Sequence, residues 1–251
     1  MISSILICFM LVFVLNNTQA QINENKEKLF FDVGKRFSIS VYGTYLSSFE
    51  LQNDVRSSDP IKRAAVLELK GGYGYGAEFN YKPQVFDFDL IFFVSTEYIK
   101  STDKELIFRL QNNDTDGANV RMEETVQMIP FEAGVKWQLP VGSNSFKIFM
   151  GGGAGIYFGD RTRKIGSFET TTLDKIPGYS VNILAGIDVY IARNISLTGM
   201  LKFREGYWDV QNKFEVDAFT VDGITYPIEN PFYSRLIADG VRLSLGLKYN
   251  F

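Results

Sequence analysis

The chain contains no histidine and a single cysteine. Without histidine there is no Ser-His nucleophile pair and no imidazole metal site. The one thiol, Cys8, lies inside an N-terminal apolar run, so the rest of the chain has no disulfide framework and no thiol chemistry. Long hydrophobic runs are also missing. Ile5 to Leu15 is apolar for eleven residues and Leu90 to Val94 is the longest later stretch, where a membrane helix needs about 20. A surplus of charge is missing too: 26 basic against 29 acidic residues leave a formal charge of −3. No basic patch calls for nucleic acid, and none is expected as a partner.

Aromatics and glycine are plentiful, with 22 Phe, 13 Tyr, 2 Trp and 22 Gly in 251 residues. At the N-terminus, Thr18-Gln19-Ala20 places small residues at −3 and −1 of a cleavage site behind the short apolar run. Residues 1–20 therefore read as a signal peptide, although its first residues carry no Lys or Arg. Ile7 before Cys8 argues against lipidation, which wants a small residue there. Residues 21–34, polar and then Leu29-Phe30-Phe31, read as a short periplasmic segment, and residues 35–251 as the folded domain.

The period of that domain is two. Ile129, Phe131, Ala133, Val135, Trp137 and Leu139 alternate with Pro130, Glu132, Gly134, Lys136 and Gln138, the pattern of a strand with one apolar face. Val241, Leu243, Leu245, Leu247, Tyr249 and Phe251 do the same against Arg242, Ser244, Gly246, Lys248 and Asn250. Six more segments alternate, around Phe37–Val41, Tyr73–Tyr81, Phe86–Phe92, Phe146–Ile156, Val181–Val189 and Ile195–Phe203, which makes eight strands. A soluble sandwich alternates as well, but over about 5–6 residues per strand. Here the alternation lasts for the ten or so that a tilted strand needs to cross a bilayer.

Trp137, Tyr249 and Phe251 gather at one set of strand ends, and Tyr73, Tyr98, Tyr179, Tyr207 and Trp208 at the other. Two such aromatic girdles mark a membrane barrel. Short turns (Lys82-Pro83-Gln84, Pro140 to Asn144, Ala192-Arg193-Asn194) alternate with long polar stretches: Gln52 to Ala65, Lys100 to Val120, Asp160 to Ile176 and Val210 to Leu236. The asymmetry predicts periplasmic turns and long outer loops. The expected fold is all-β: an eight-stranded antiparallel up-and-down transmembrane β-barrel.

On these strands and on the terminal run Val241-Arg242-Leu243-Ser244-Leu245-Gly246-Leu247-Lys248-Tyr249-Asn250-Phe251, the chain resembles the small outer-membrane barrels of the OmpA/OmpX type, the "outer membrane protein β-barrel" superfamily, over residues 35–251. The resemblance implies an outer-membrane location in a Gram-negative bacterium, lipid around the barrel, and Tyr249 and Phe251 as the signal read by the barrel-assembly machinery. The phospholipase, protease, lipid A deacylase and palmitoyltransferase barrels use a histidine as base or as its partner, which this chain lacks.

The inward faces carry Arg36, Glu78, Lys82, Asp87, Asp89, Glu97, Glu132, Lys136, Lys147, Asp188, Lys202, Arg204, Arg242 and Lys248. Eight strands enclose a bore that side chains can fill, so these charges read as an ion-pair plug in preference to a selective channel. Phe149, Tyr157 and Tyr190 share the inward faces, as do Gly151, Gly153, Gly155, Gly186 and Gly246, which leave local room. The glycine runs 71–76 and 151–155 sit within strand patterns, with no helix to bind a phosphate. Asn112, Asp114, Asp116, Gly117 and Glu123 fall at positions 1, 3, 5, 6 and 12 of a calcium loop; a hairpin tip turning at Asp116-Gly117 explains them as well. No cofactor is expected. The reading is a non-enzymatic barrel that stabilises the membrane or presents its loops to a surface ligand or protein. A small-solute or ion pore is the alternative, and a hydrolase working with carboxylates alone, such as Asp87 and Asp89, the weaker one.

Overall fold

A computed structural model of the chain describes residues 35–251 apart from 54, 57, 59, 84–88, 113, 114 and 144, and the backbone alone at 62, 111, 112, 115, 116, 142 and 143. The segments read as signal peptide and periplasmic extension, and Asp87 and Asp114, lie outside the described residues.

The strands are β1 (Phe37–Asn53), β2 (Val66–Tyr81), β3 (Leu90–Asn112), β4 (Thr115–Ser143), β5 (Phe146–Ile165), β6 (Phe168–Ile176), β7 (Gly178–Ala192), β8 (Ile195–Phe214), β9 (Ala218–Val221), β10 (Ile224–Pro227), β11 (Phe232–Ile237) and β12 (Val241–Asn250); a one-turn helix α1 (Pro60–Ala64) lies between β1 and β2. They make eight staves. β6 continues the line of β7, and β11 that of β12, since each member of either pair lies between the same two neighbours. Pro177, which has no N–H to give a ladder, separates β6 from β7. Gly178 follows it because a Cβ there would lie 1.5 Å from the Tyr207 carbonyl oxygen. The ring closes where β12 pairs antiparallel with β1, from Ser38↔Asn250 to Leu46↔Arg242. Phe251 N–H donates to the Phe37 carbonyl at 2.9 Å and Phe37 N–H to that of Phe251 at 3.1 Å.

Parity follows the alternation. Ser38, Ser40 and Thr44 are buried in the bore while Ile39 and Val41 are exposed on the outer wall; Glu132 and Lys136 are buried between exposed Phe131 and Trp137. The outer wall carries an apolar band from Phe37 to Tyr45 on β1, Ile129 to Trp137 on β4, Tyr179 to Ile191 on β7 and Val241 to Phe251 on β12. Both chain ends of the barrel lie at one rim, here the near end.

The staves run well past this band. β4 has 29 residues and β3 has 23, where about 9–11 cross a bilayer. The stretches 100–120, 160–176 and much of 210–236, expected to be loops, are instead tall hairpins at the far end. Beyond the band polar residues take many outward positions (Lys100, Thr102 and Lys104 on β3; Glu123, Thr125 and Gln127 on β4), with Ile107 and Leu173 exposed among them. Above lipid the outer face meets water and needs no apolar side chains, while backbone pairing continues unchanged.

Candidate functional site

Every second residue of the staves points into the bore, and the bore is layered. At the near end Lys248 pairs with Asp188 at 2.7 Å and Lys82 with Asp89 at 3.0 Å. A cavity of about 30 Å³ between them has room for roughly two waters. Next, Lys136 bonds Glu78 and lies 4.9 and 5.0 Å from the ring centres of Phe93 and Phe149. Those rings pack with Leu184 and Met200 across the bore.

The middle layer is ionic. Glu132 accepts from Lys202, takes the Tyr157 hydroxyl at 3.0 Å and faces Arg204 at 3.5 Å. Arg204 donates to Glu97, whose second oxygen lies 2.7 Å from Arg242. Arg242 also donates to Thr44 Oγ1 at 2.8 Å and stacks over Tyr42 at 4.8 Å. Three cations, Lys202, Arg204 and Arg242, thus link two carboxylates, Glu97 and Glu132, in one network, with the Lys136–Glu78 pair beside it.

Above this layer the bore turns apolar. Leu46, Phe49, Leu51, Ile99, Met128, Tyr157 and Trp208 form a buried cluster. Trp208, expected in the far girdle beside Tyr207, is 1% exposed and inside; adjacent strand residues face opposite ways, so only Tyr207 stays outside. The Trp208 indole lies where a Cβ on Gly159 would stand, 2.2 Å away.

A second ionic layer lies outside the apolar band. Arg161 donates to both oxygens of Glu124, at 2.9 and 2.6 Å, and bonds Ser234. Arg163 donates to the same carboxylate and to Asn53 Oδ1 at 2.9 Å. Burial alone would raise the Glu124 carboxyl, but the two guanidiniums outweigh it and hold it below the ordinary carboxylate range. A second apolar cluster (Leu110, Met122, Ile165, Phe214, Phe219 and Tyr226) closes the far end. Phe219 and Tyr226 come from the β9–β10 hairpin.

Two further concavities bear on what the barrel could bind. One, about 670 Å³, lies on the apolar outer wall, where Gly43 and Ala77 leave a shallow floor between Tyr75, Tyr98, Leu245 and Leu247. The other, about 320 Å³, opens at the far mouth between Asn53, Phe108, Arg163, Phe214 and Phe232.

A closed ring of eight staves with an apolar outer band and an inward face of ionic and apolar tiers decides the fold. The fold is that of the small outer-membrane β-barrels. The outer membrane protein OprG from Pseudomonas aeruginosa superposes with a TM-score of 0.55 at 10% identity, over 86% of this chain and 96% of that one. Lesser likenesses are to the outer membrane protease OmpT from Escherichia coli (TM-score 0.47, 8% identity, 90% and 99% covered) and to Neisserial surface protein A (0.42, 12%, 86% and 97%). No family model matches the sequence, and no curated protein matches it.

The barrel does not use every expected residue alike. Glu78, Glu132, Lys136, Asp188, Lys202, Arg204, Arg242 and Lys248 meet in the bore, with Glu97 between two arginines. Asp89 pairs with Lys82 at the near rim, half-exposed. Arg36 lies exposed at that rim, just before β1. Lys147, half-buried, sits across from Asp188 in the β5–β7 register, but Asp188 is held by Lys248. The calcium spacing is corrected by the backbone. From Thr115 to Glu123 the chain is extended strand; at roughly 3.3 Å per residue its ends stand on the order of 25 Å apart, too far to wrap one ion. Glu123 instead faces Lys104 at 3.5 Å. The glycine runs lie inside β2 and β5. Arg161, Arg163 and Glu124 are site residues that the alternation in the apolar band does not reach. Their signal is the parity of β4 and β5 carried upward: Met122, Glu124, Val126, Met128, and Tyr157, Arg161, Arg163, Ile165.

Proposed function

We propose that the chain is exported by residues 1–20, crosses the outer membrane with its near end and residues 21–34 in the periplasm, and stands with its far end outside the cell. Its function there is non-enzymatic. It is a closed barrel that stabilises the membrane and carries a rigid β-head for contact with a surface ligand or protein. The carrying observation is the layered bore, in which, among the described residues, ionic and apolar tiers follow each other from the near rim, where a cavity of about 30 Å³ lies, up to the pocket at the far mouth. The same tiers speak against a carboxylate hydrolase. Glu78, Glu97, Glu132 and Asp188 are each bonded to a cation, whereas a general base must be free to take a proton from a substrate within hydrogen-bond reach. Lipid covers the apolar band, and the assembly machinery reads Tyr249 and Phe251, whose exposed rings stack at 6.1 Å on the closing strand.

Cysteine scarcity makes the orientation easy to test. Ser167→Cys, on the exposed far turn between β5 and β6, should react with a membrane-impermeant maleimide on intact cells. Arg193→Cys, on the near turn between β7 and β8, should react only after the outer membrane is opened. The opposite pattern, or recovery of the protein without detergent, sinks the reading.

A further inference from the structure

The far-mouth pocket has a feature that packing alone does not ask for. Arg161 and Arg163 both spend their charge on one carboxylate, Glu124. Among the described residues no second acid lies within ion-pair distance of either, so two cations, 1–5% exposed, share one anion there. Burying an uncompensated charge is costly. A barrel could have avoided the cost with Gln at 163: the backbone N–H there donates to Thr170 Oγ1 whatever the side chain, and an amide can replace the guanidinium as donor to Asn53 Oδ1.

The surplus charge lies under an aromatic vault. The Arg163 guanidinium is 5.2 Å from the Phe108 ring centre and 5.4 Å from that of Phe232, and Arg161 is 5.5 Å from Phe232. Phe214 stands 5.7 Å from Phe232. The vault encloses about 320 Å³ and is open on one side, while an apolar cavity of roughly 150 Å³ already takes a benzene ring. Glu229 lines the same pocket from its solvent side, exposed.

We propose that this pocket is a binding site for a small organic anion with an aromatic or similarly flat apolar body. The anionic group would sit against Arg163, where it neutralises the charge that Glu124 leaves over, and the apolar body between Phe108, Phe214 and Phe232. Glu229 repels such an anion at the mouth and so weakens it. The inference deepens the surface-ligand reading above but depends on neither orientation nor location, since it concerns the folded barrel alone.

Phenylacetate and its neutral isostere phenylacetamide are suitable probes, titrated into the full folded barrel in detergent and followed by backbone amide NMR. Phenylacetate should shift, saturably, amides near residues 108, 163, 214 and 228–232. Phenylacetamide should bind about tenfold more weakly, because a hydrogen bond to a charged group is worth roughly that factor or more. Glu229→Gln should tighten phenylacetate, and Phe108→Ala should weaken it without touching the Arg163–Glu124 pair. Arg163→Gln should abolish it; if that variant fails to fold, Phe108→Ala and Glu229→Gln still decide. Equal response to both probes, shifts spread over the apolar band, or no saturable shift up to about 20 mM, weaker than the millimolar class, would overturn the site. Maleimide labelling fails or succeeds separately, so loss of one reading is not mistaken for loss of the other.

Discussion

Glu132 shows how much one side chain can hold in a closed bore. It accepts from Lys202 and Tyr157 and faces Arg204. Glu132→Gln removes the charge and keeps the shape, leaving two buried cations short of a partner. Breaking a buried pair from one side costs about 3–5 kcal/mol, and urea unfolding in lipid vesicles should show a loss of that order. A variant as stable as the parent would mean that the pairing carries little of the fold. The exposed pair Lys70–Glu105, with side chains 55% and 80% exposed, is the control: Glu105→Gln should change nothing measurable. Glu124 adds a pH dependence. Its folded carboxyl is held below its unfolded value, so the unfolded chain binds the proton first. The stability it contributes is complete above the ordinary carboxylate pKa and is lost as pH falls through the lower folded value. The stability gap between the parent and Glu124→Gln should therefore be widest near pH 7 and narrow toward pH 3; a gap that widens in acid contradicts the assignment.

Elements are legible in the sequence where lipid enforces them. Leu245 is 69% exposed at the middle of β12's apolar row, and the parity that puts it outside is readable from Val241 to Phe251 without coordinates. Leu245→Arg should cost about 2–4 kcal/mol if it lies near the midplane, again by urea unfolding in vesicles. Beyond the band the same strands become illegible. Once the outer face meets water, Lys100, Thr102 and Gln127 are as acceptable as Phe, so the period of two survives only on the inner face. That face alternates ionic and apolar tiers, which is why Arg161 and Arg163 pass for loop residues and Trp208 for a girdle. The β9–β10 hairpin is hidden within one such stretch. It is an addition to the barrel, since Ile228 N–H donates to the Asp217 carbonyl at 3.1 Å across its base. Replacing residues 218–227 by a two-residue Gly-containing turn should leave a folded, heat-modifiable barrel. The loss of two buried aromatics, Phe219 and Tyr226, should lower stability by about 3–6 kcal/mol at roughly 1.5–3 each. Failure to form the heat-modifiable species would make the hairpin part of the fold itself.

For the molecule as a whole the question is whether solutes pass. Eight staves fix a bore that side chains can fill, and here they fill it in tiers that obstruct in different ways. A hydrated ion moving from the near end meets Lys136 and Glu78 against two phenyl rings, then the Glu97–Glu132 network, then the apolar cluster around Trp208 and Phe49. The apolar tier is the stronger barrier: it offers no partner for shed hydration water, and stripping an ion without one is costly. The barrel reconstituted in planar bilayers should show no steady conductance. Lys136→Glu should not open it either, because it sets two carboxylates side by side beneath an apolar tier that it leaves intact. Removing that tier should matter more: Trp208→Ala with Phe49→Ala should admit water and give unsteady steps where Lys136→Glu gives none. Steady steps in the parent barrel, with a cation or anion preference that changes on Lys136→Glu, would show that the tiers part in the membrane and that a pore is the better description.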